Sequence, residues 1–226
     1  MIYPNTLPAA FIDRPNRFIA HAEVDGERVI AHVKNTGRCR ELLVPGARVV
    51  LQKAGNTARK TGYDLIAVYK NGRLINMDSG APNKVFLEYL QSGRYRERIS
   101  FIKPETKYGS SRFDFYCEAE GRKIFIEVKG VTLEENGVAL FPDAPTERGV
   151  KHLNELAQCV REGYEAHAVF VVQMNSVRYF TPNNKTHPAF GEALVAAEKA
   201  GVNVAALDCS VTENSLTIGK AVPIKL

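Results

Sequence analysis

Asp114, Glu127 and Lys129 lie within one short run, RFDFYCEAEGRKIFIEVKG, at residues 112–130. Two apolar-rich stretches flank the dipeptide Glu120-Gly121, so the run reads as an antiparallel hairpin. Centred there, the register predicts an apolar face on which Phe113 meets Val128, Phe115 meets Ile126 and Cys117 meets Ile124. The other face pairs Arg112 with Lys129, Asp114 with Glu127, Tyr116 with Phe125 and Glu118 with Lys123. A slip of one residue would mix the faces, which sheet packing resists. In this register the two acids oppose each other with Cβ atoms about 5 Å apart, and like charges so placed destabilise a hairpin. Once buried, they require a proton or a cation. Two carboxylates at that separation suit a hard divalent ion, Mg²⁺ or Mn²⁺, with water completing its shell. Glu127 and Lys129, two apart on one strand, share a face. A metal beside a lysine is equipment for phosphodiester hydrolysis: the ion lowers the pKa of a bound water, and the lysine orients that water or steadies charge on phosphorus. The competing reading is a surface hairpin whose polar face meets water.

The elements that must hold this hairpin follow from the rest of the chain. Its 226 residues suit one large or two modest domains. The composition, 45% hydrophobic and 24% charged, is that of a globular protein. No apolar run is long enough to span a membrane, and the first residues do not read as a secretory signal. Cys39, Cys117, Cys159 and Cys209 are scattered with no CxxC or CxxH spacing, which predicts free thiols in a reducing cytoplasm rather than a zinc site. The net charge is +5. All of that excess falls in residues 1–82, while residues 83–226 balance. This suggests a polyanion-binding module joined to a neutral body; a solubilising surface is the plainer alternative.

From Arg17 to about Met77 the text predicts five short strands: RFIAHAEV and RVIAHVK joined at Asp25-Gly26, then ARVVLQKA, YDLIAVYK and RLINM. Turn signals stand at Pro45-Gly46, Gly55-Asn56 and Asn71-Gly72. A small closed barrel of OB type accommodates such strands and commonly binds nucleic acid. KNTGRCREL places Lys34, Arg38 and Arg40 near a tight turn, either as phosphate contacts or as a solvated loop. Asn83 is expected to cap a helix through VFLEYLQ. Beyond it the pattern is mixed α/β: strands near 112–118, 122–129, 138–141, 166–173 and 203–209, and helices at 146–162 and 188–200. Pro145 and Thr146 open the first of these helices. Val150, Leu153, Leu156, Ala157 and Val160 form its apolar stripe, and Arg148, His152 and Glu155 share another side with Lys151 beside them. His21, His32 and His187 read as structural.

The trio resembles the PD-(D/E)xK nuclease signature, with Phe113 where that pattern has proline. Over nearly its full length the chain also resembles the sugar fermentation stimulation protein A family. The matching stretches, in order, are NTGRCRELLVPGARV, SRFDFYCEAEGRKIFIEVKGVTL, FPDAPTERGVKHLNEL and the segment around VFVVQMNSVRYFTPN. The resemblance implies an α/β two-domain protein: an N-terminal OB-like β-barrel at 1–82 and a nuclease-like domain at 83–226 with a central mixed sheet flanked by helices. It implies metal ligation by Asp114, Glu127 and the Val128 carbonyl, with Lys129 catalytic, and a further acid, Glu88, as a candidate ligand from the preceding helix. Arg112, Arg148 and Lys151 are implied contacts to DNA or RNA. His152 and Gln158 stand as supporting residues, and Gln158…Tyr164 loosely resembles a Gln/Tyr motif of related nucleases. The family association supplies a rival, a non-catalytic DNA-binding regulator of maltose genes. A homodimer is left open.

Overall fold

In the computed structural model, which describes residues 1–35, 37, 39–55, 59 and 61–226, the first six strands build the barrel. They are β1 (Thr6–Asn16), β2 (Ile19–Val24), β3 (Glu27–Val33), β4 (Arg48–Lys53), β5 (Tyr63–Lys70) and β6 (Arg73–Asn76). Their order is β3-β2-β1-β4-β5-β6, and an added parallel pairing of β3 with β5 closes β1–β5 on themselves. Closure removes the edges that would otherwise template aggregation. Asp25-Gly26 and Asn71-Gly72, with both φ positive, make two of the barrel's tight hairpin turns. β1 was not expected. Its PAAFIDRP text carries two prolines and a weak alternation, yet it forms the barrel's central strand, between β2 and β4.

The second half centres on a six-stranded mixed sheet, ordered β15-β14-β12-β9-β8-β7. Its strands are β7 (Ile99–Tyr108), β8 (Ser111–Ala119), β9 (Arg122–Val131), β12 (Glu165–Val172), β14 (Asn203–Thr212) and β15 (Ser215–Ala221). A small sheet of β10 (Leu133–Glu135), β11 (Val138–Phe141) and β13 (Tyr179–Pro182) stands beside it. β12 runs parallel to both β9 and β14. It is covered on both faces, which explains its unbroken apolar text. Val169 and Val171 face the side of α1 (Ala81–Gln91), whereas Ala168, Phe170 and Val172 face α2 (Glu147–Arg161) and α3 (Pro188–Lys199). The cluster under α2 and α3 continues without a break into the barrel interior.

α1 begins at Ala81, with Gly80 as its cap and Pro82 in its first turn. Asn83 is therefore inside the helix, not its cap, and its side chain is free for another task. α2 starts as expected: the Thr146 hydroxyl accepts the Gly149 amide at 3.1 Å. All four cysteines are buried and free. No described helix is long and apolar enough to cross a membrane.

At the end of the sheet where β12 begins, His167 is buried beside Tyr95, and its Nε2 lies 2.8 Å from Glu165. Burial, reinforced by the Arg96 charge, holds its pKa below the ordinary histidine value although Glu165 pulls the other way. The folded state thus favours neutral His167. Its contribution is complete above pH ~6.5 and is lost as pH falls, with a limiting slope of about 1.4 kcal/mol per pH unit for one proton. Urea denaturation at pH 7.5 and 5.5 (about the two sides of a histidine titration) should show His167→Gln losing less stability on acidification than the parent protein.

Candidate metal centre

The β8–β9 hairpin turns at Glu120-Gly121, both at positive φ. Its ladder runs Ala119↔Arg122, Glu118↔Lys123, Cys117↔Ile124, Tyr116↔Phe125 and Phe115↔Ile126, the expected register. There the regular pairing stops. Asp114 is not a ladder partner of Glu127; its Oδ2 instead accepts the backbone N–H of Val128 at 2.7 Å. The same departure corrects two neighbours. Phe113 packs against Phe125 and His152 on the α2 side, while Phe115 packs on Phe86 of α1. Arg112 pairs with Glu105 on β7 at 3.2 Å, in solvent, rather than standing opposite Lys129.

The strand opening gives each carboxylate its own set of donors. Asp114 Oδ1 accepts from the Asn83 side-chain amide at 2.7 Å. Glu127 is 5% exposed. Its Oε1 accepts from Lys129 Nζ at 2.6 Å and from His152 Nδ1, itself buried. Arg148 Nε donates to His152 Nε2 at 3.4 Å, which leaves the His152 proton on Nδ1. Glu127 Oε2 is buried with no partner. One oxygen is thus saturated, and the other keeps its lone pairs for something else.

The electrostatics separate the two acids. Burial, then the charge of Glu127, pushes the Asp114 carboxyl up to about 6, against the pull of Val128 N–H, Asn83 and Lys129. Burial also raises Glu127, but the hydrogen bond from His152 and the charge and hydrogen bond of Lys129 outweigh it and hold its pKa below the ordinary carboxylate value. A buried carboxylate with an orphaned oxygen and a half-buried one that feels its charge fit a divalent cation. Among the described residues no group of three or more His, Cys, Asp and Glu side chains surrounds such a site.

The other expected residues divide. The structure brings His152 against Glu127 and Arg148 against His152. Lys151 sits at the lip, with Nζ 3.4 Å from the Ser110 carbonyl. Gln158 does not belong: it is exposed and bonds Glu162 and Arg161, because six residues beyond His152 turn it to another side of the helix. Glu88 does not belong either. It is exposed and pairs with the Met1 ammonium at 2.6 Å. Five residues beyond Asn83, it is turned some 140° away, and Asn83 takes the place expected of it. Lys34 is committed to Asp78 at 3.3 Å and Asp64 at 3.5 Å, both buried, so its charge is already neutralised. Arg40 is exposed in a groove with Arg14 and Arg17. Arg38 lies outside the described residues. Asn83 had no signal in the sequence beyond its place near a helix start.

Relatives carry the same plan. Residues 12–77 match the family model described as the SfsA N-terminal OB domain, and residues 80–215 match the sugar fermentation stimulation protein RE domain. A sugar fermentation stimulation protein homolog of Desulfitobacterium hafniense is 62% identical over 226 residues, covering 100% of this chain and 99% of that protein. Another, from Ruminiclostridium cellulolyticum, is 55% identical over 226 residues and covers 100% of both. The solved structure of Pyrococcus furiosus SfsA in complex with Ca²⁺ matches with a TM-score of 0.90 at 28% identity, covering 100% of this chain and 98% of that one. Barrel, mixed sheet and sequence agree, and the chain belongs to the sugar fermentation stimulation protein family.

Proposed function

We propose that the protein is a metal-dependent nuclease that hydrolyses phosphodiester bonds of DNA or RNA. In the division we propose, residues 1–82 hold the nucleic acid and 83–226 cut it. The observation that carries the reading is Glu127 Oε2, buried and unpartnered beside a carboxyl whose pKa is raised. Scaffolding rarely leaves such a group uncompensated. The Ca²⁺ of the Pyrococcus relative supports a hard divalent ion here.

Asp114 and Glu127 Oε2 would hold the ion, with the Val128 carbonyl and water completing the shell. When bound, Mg²⁺ or Mn²⁺ supplies positive charge to the phosphate and acidifies a water. Lys129, fixed on Glu127 Oε1, stands where it can orient the attacking water and steady charge on the phosphoryl oxygens. His152 occupies the rest of Oε1, so Oε2 is the oxygen that would be free to hold the ion. Asn83 does the same service for Asp114. The water oxygen bonds to phosphorus, the bond to the leaving sugar oxygen breaks, and that oxygen takes a proton.

The test is a gel assay on labelled single- and double-stranded DNA and RNA with Mg²⁺, Mn²⁺ or EDTA. Asp114→Ala, Glu127→Ala and Lys129→Ala run beside the parent, each checked for folding. Metal-dependent cutting lost in all three supports the nuclease. Retained nucleic-acid binding with no cutting by the parent would favour the DNA-binding regulator. Cutting that survives all three substitutions would sink the assignment of the centre.

Backbone binding by the barrel has its own signature. Arg40→Ala should flatten the log–log dependence of affinity on salt by about 0.7–0.9, the value of one lost phosphate contact. An unchanged slope in a filter-binding titration would remove Arg40 from the interface.

A further inference from the structure

Beyond Lys129, the end of β9 borders a small cavity of about 120 Å³ at the junction of the two halves of the chain. Asn35 comes from the segment after β3; Gly130, Thr132, Phe141, Asp143 and Gln173 come from the second half. The volume is some four times the roughly 30 Å³ that a water occupies in the liquid, and well below that of a drug-sized site. It accepts one small planar ring.

Gln173 gives the cavity its chemistry. The residue is 1% exposed. Both hydrogens of its amide are used, since Nε2 donates to Asn76 Oδ1 at 2.8 Å and to the Asp78 carbonyl at 3.1 Å. These bonds fix the amide's orientation and aim Oε1 towards Gly130, where a Cβ would come within 2.6 Å of it. No hydrogen bond from any described residue reaches Oε1. The acceptor is held rigidly and opens onto the cavity, where a donor from outside the chain can reach it. Asp143, exposed at the rim, adds a carboxylate acceptor. Phe141, Leu133 and Leu140 supply apolar wall. Glycine at 130 keeps the approach clear, because a side chain there would strike both Gln173 and Pro82.

We propose that this cavity receives an unpaired nucleobase carrying an exocyclic amino group, adenine or cytosine foremost, with Gln173 Oε1 accepting from that amino group. Thymine and uracil have no amino group to offer. The inference rests on the nuclease reading for its purpose: it makes the substrate a single strand or a splayed-out nucleotide, since a paired base keeps its amino group in the pair. Gly130 lies three residues along β9 from Glu127, about 10 Å. The odd spacing turns Gly130 to the face of β9 opposite Glu127, so a base in the cavity belongs to a nucleotide beside the candidate centre and not at the scissile phosphate itself. Its place at the junction gives the barrel a role in completing the pocket through Asn35.

The experiment is a titration of the full chain, ¹⁵N-labelled and metal-free, with dAMP, dCMP and dTMP. It is followed through the Gln173 side-chain amide and the backbone signals of Gly130 and Thr132. Saturable shifts at these positions are expected with dAMP or dCMP, and binding of dTMP should be weaker by about tenfold. Leu133→Trp, which plugs the cavity from a partly exposed position, should abolish the shifts while leaving Mn²⁺ binding by calorimetry unchanged. If the parent, shown to be folded by its spectrum, gives no shift at Gln173 with any nucleotide, the pocket is refuted. Equal binding of all three nucleotides refutes the selection for an exocyclic amino group. The outcome is independent of cleavage: an inert protein that still selects dAMP would overturn the nuclease and keep the pocket, while an active one blind to bases would do the reverse.

Discussion

Glu127→Ala is expected to lower metal-dependent cleavage roughly 10³-fold or more, because an ion contributes several kcal/mol of charge stabilisation and each 1.36 kcal/mol is a decade in rate. The substitution removes the unpartnered Oε2 and, with it, the anchor that positions Lys129. Lys129→Ala should reduce cleavage while sparing ion binding, since its contact is to Oε1 and not to Oε2, the oxygen that would hold the ion. Calorimetric Mn²⁺ titration beside the gel assay separates the two effects. Asp114→Asn should abolish cleavage with a folded-state stability within about 1 kcal/mol of the parent, because it removes the like-charge repulsion while an amide oxygen can still accept Val128 N–H. Ion loading carries a pH signature. Asp114, pushed up to about 6, must lose its proton before it can bind. Apparent affinity should therefore climb as pH rises towards about 6 and level off above it. A pH-independent affinity between pH ~5 and ~7, the span around a carboxyl so raised, would show that Asp114 is not a ligand.

Phe170→Ala should cost about 3–5 kcal/mol of unfolding free energy, the range for deleting a fully buried aromatic ring. Phe170 is 1% exposed on β12. It stacks on Phe180 of β13 with centroids 4.2 Å apart and meets Phe190 of α3 edge-on. Phe141 of β11 closes the group. One side chain thus joins the large sheet, the small sheet and α3, and no neighbour is free to collapse into the space. Against a typical total of about 5–15 kcal/mol, such a loss is a large share of stability. The midpoint of urea unfolding should fall with an unchanged slope. A loss below about 1 kcal/mol would mean the ring cluster repacks.

The sequence determined a good deal about this protein by local rules. Hairpin turns at Asp25-Gly26, Asn71-Gly72 and Glu120-Gly121 were legible because their backbone conformation is set by one or two residues. The apolar alternation of β8 and β9 set the register of five pairs, since a slip would have mixed the two faces. Thr146 and the stripe after it placed α2. The trio Asp114, Glu127 and Lys129 stood out because its charges conflict with the strands that carry them.

The remaining features depend on partners distant in the chain. At Asp114 the ladder gives way to the carboxylate's bond with the Val128 N–H, steadied by Asn83 of α1, which lies outside the hairpin's own text. Asn83 and His152 meet the two acids across 31 and 25 positions of sequence. Nothing local distinguishes Asn83 from a helix cap, or Glu88 from a ligand, until the rotation of α1 against the sheet is known. Lys34 reads as a free cation until Asp64 and Asp78 fold against it. β1 and β7 carry weak alternation, and their strand state is imposed by the neighbours they pair with. Residue type and spacing name the groups able to do chemistry. Which oxygen is left open, and which charge is already spent, is a property of packing.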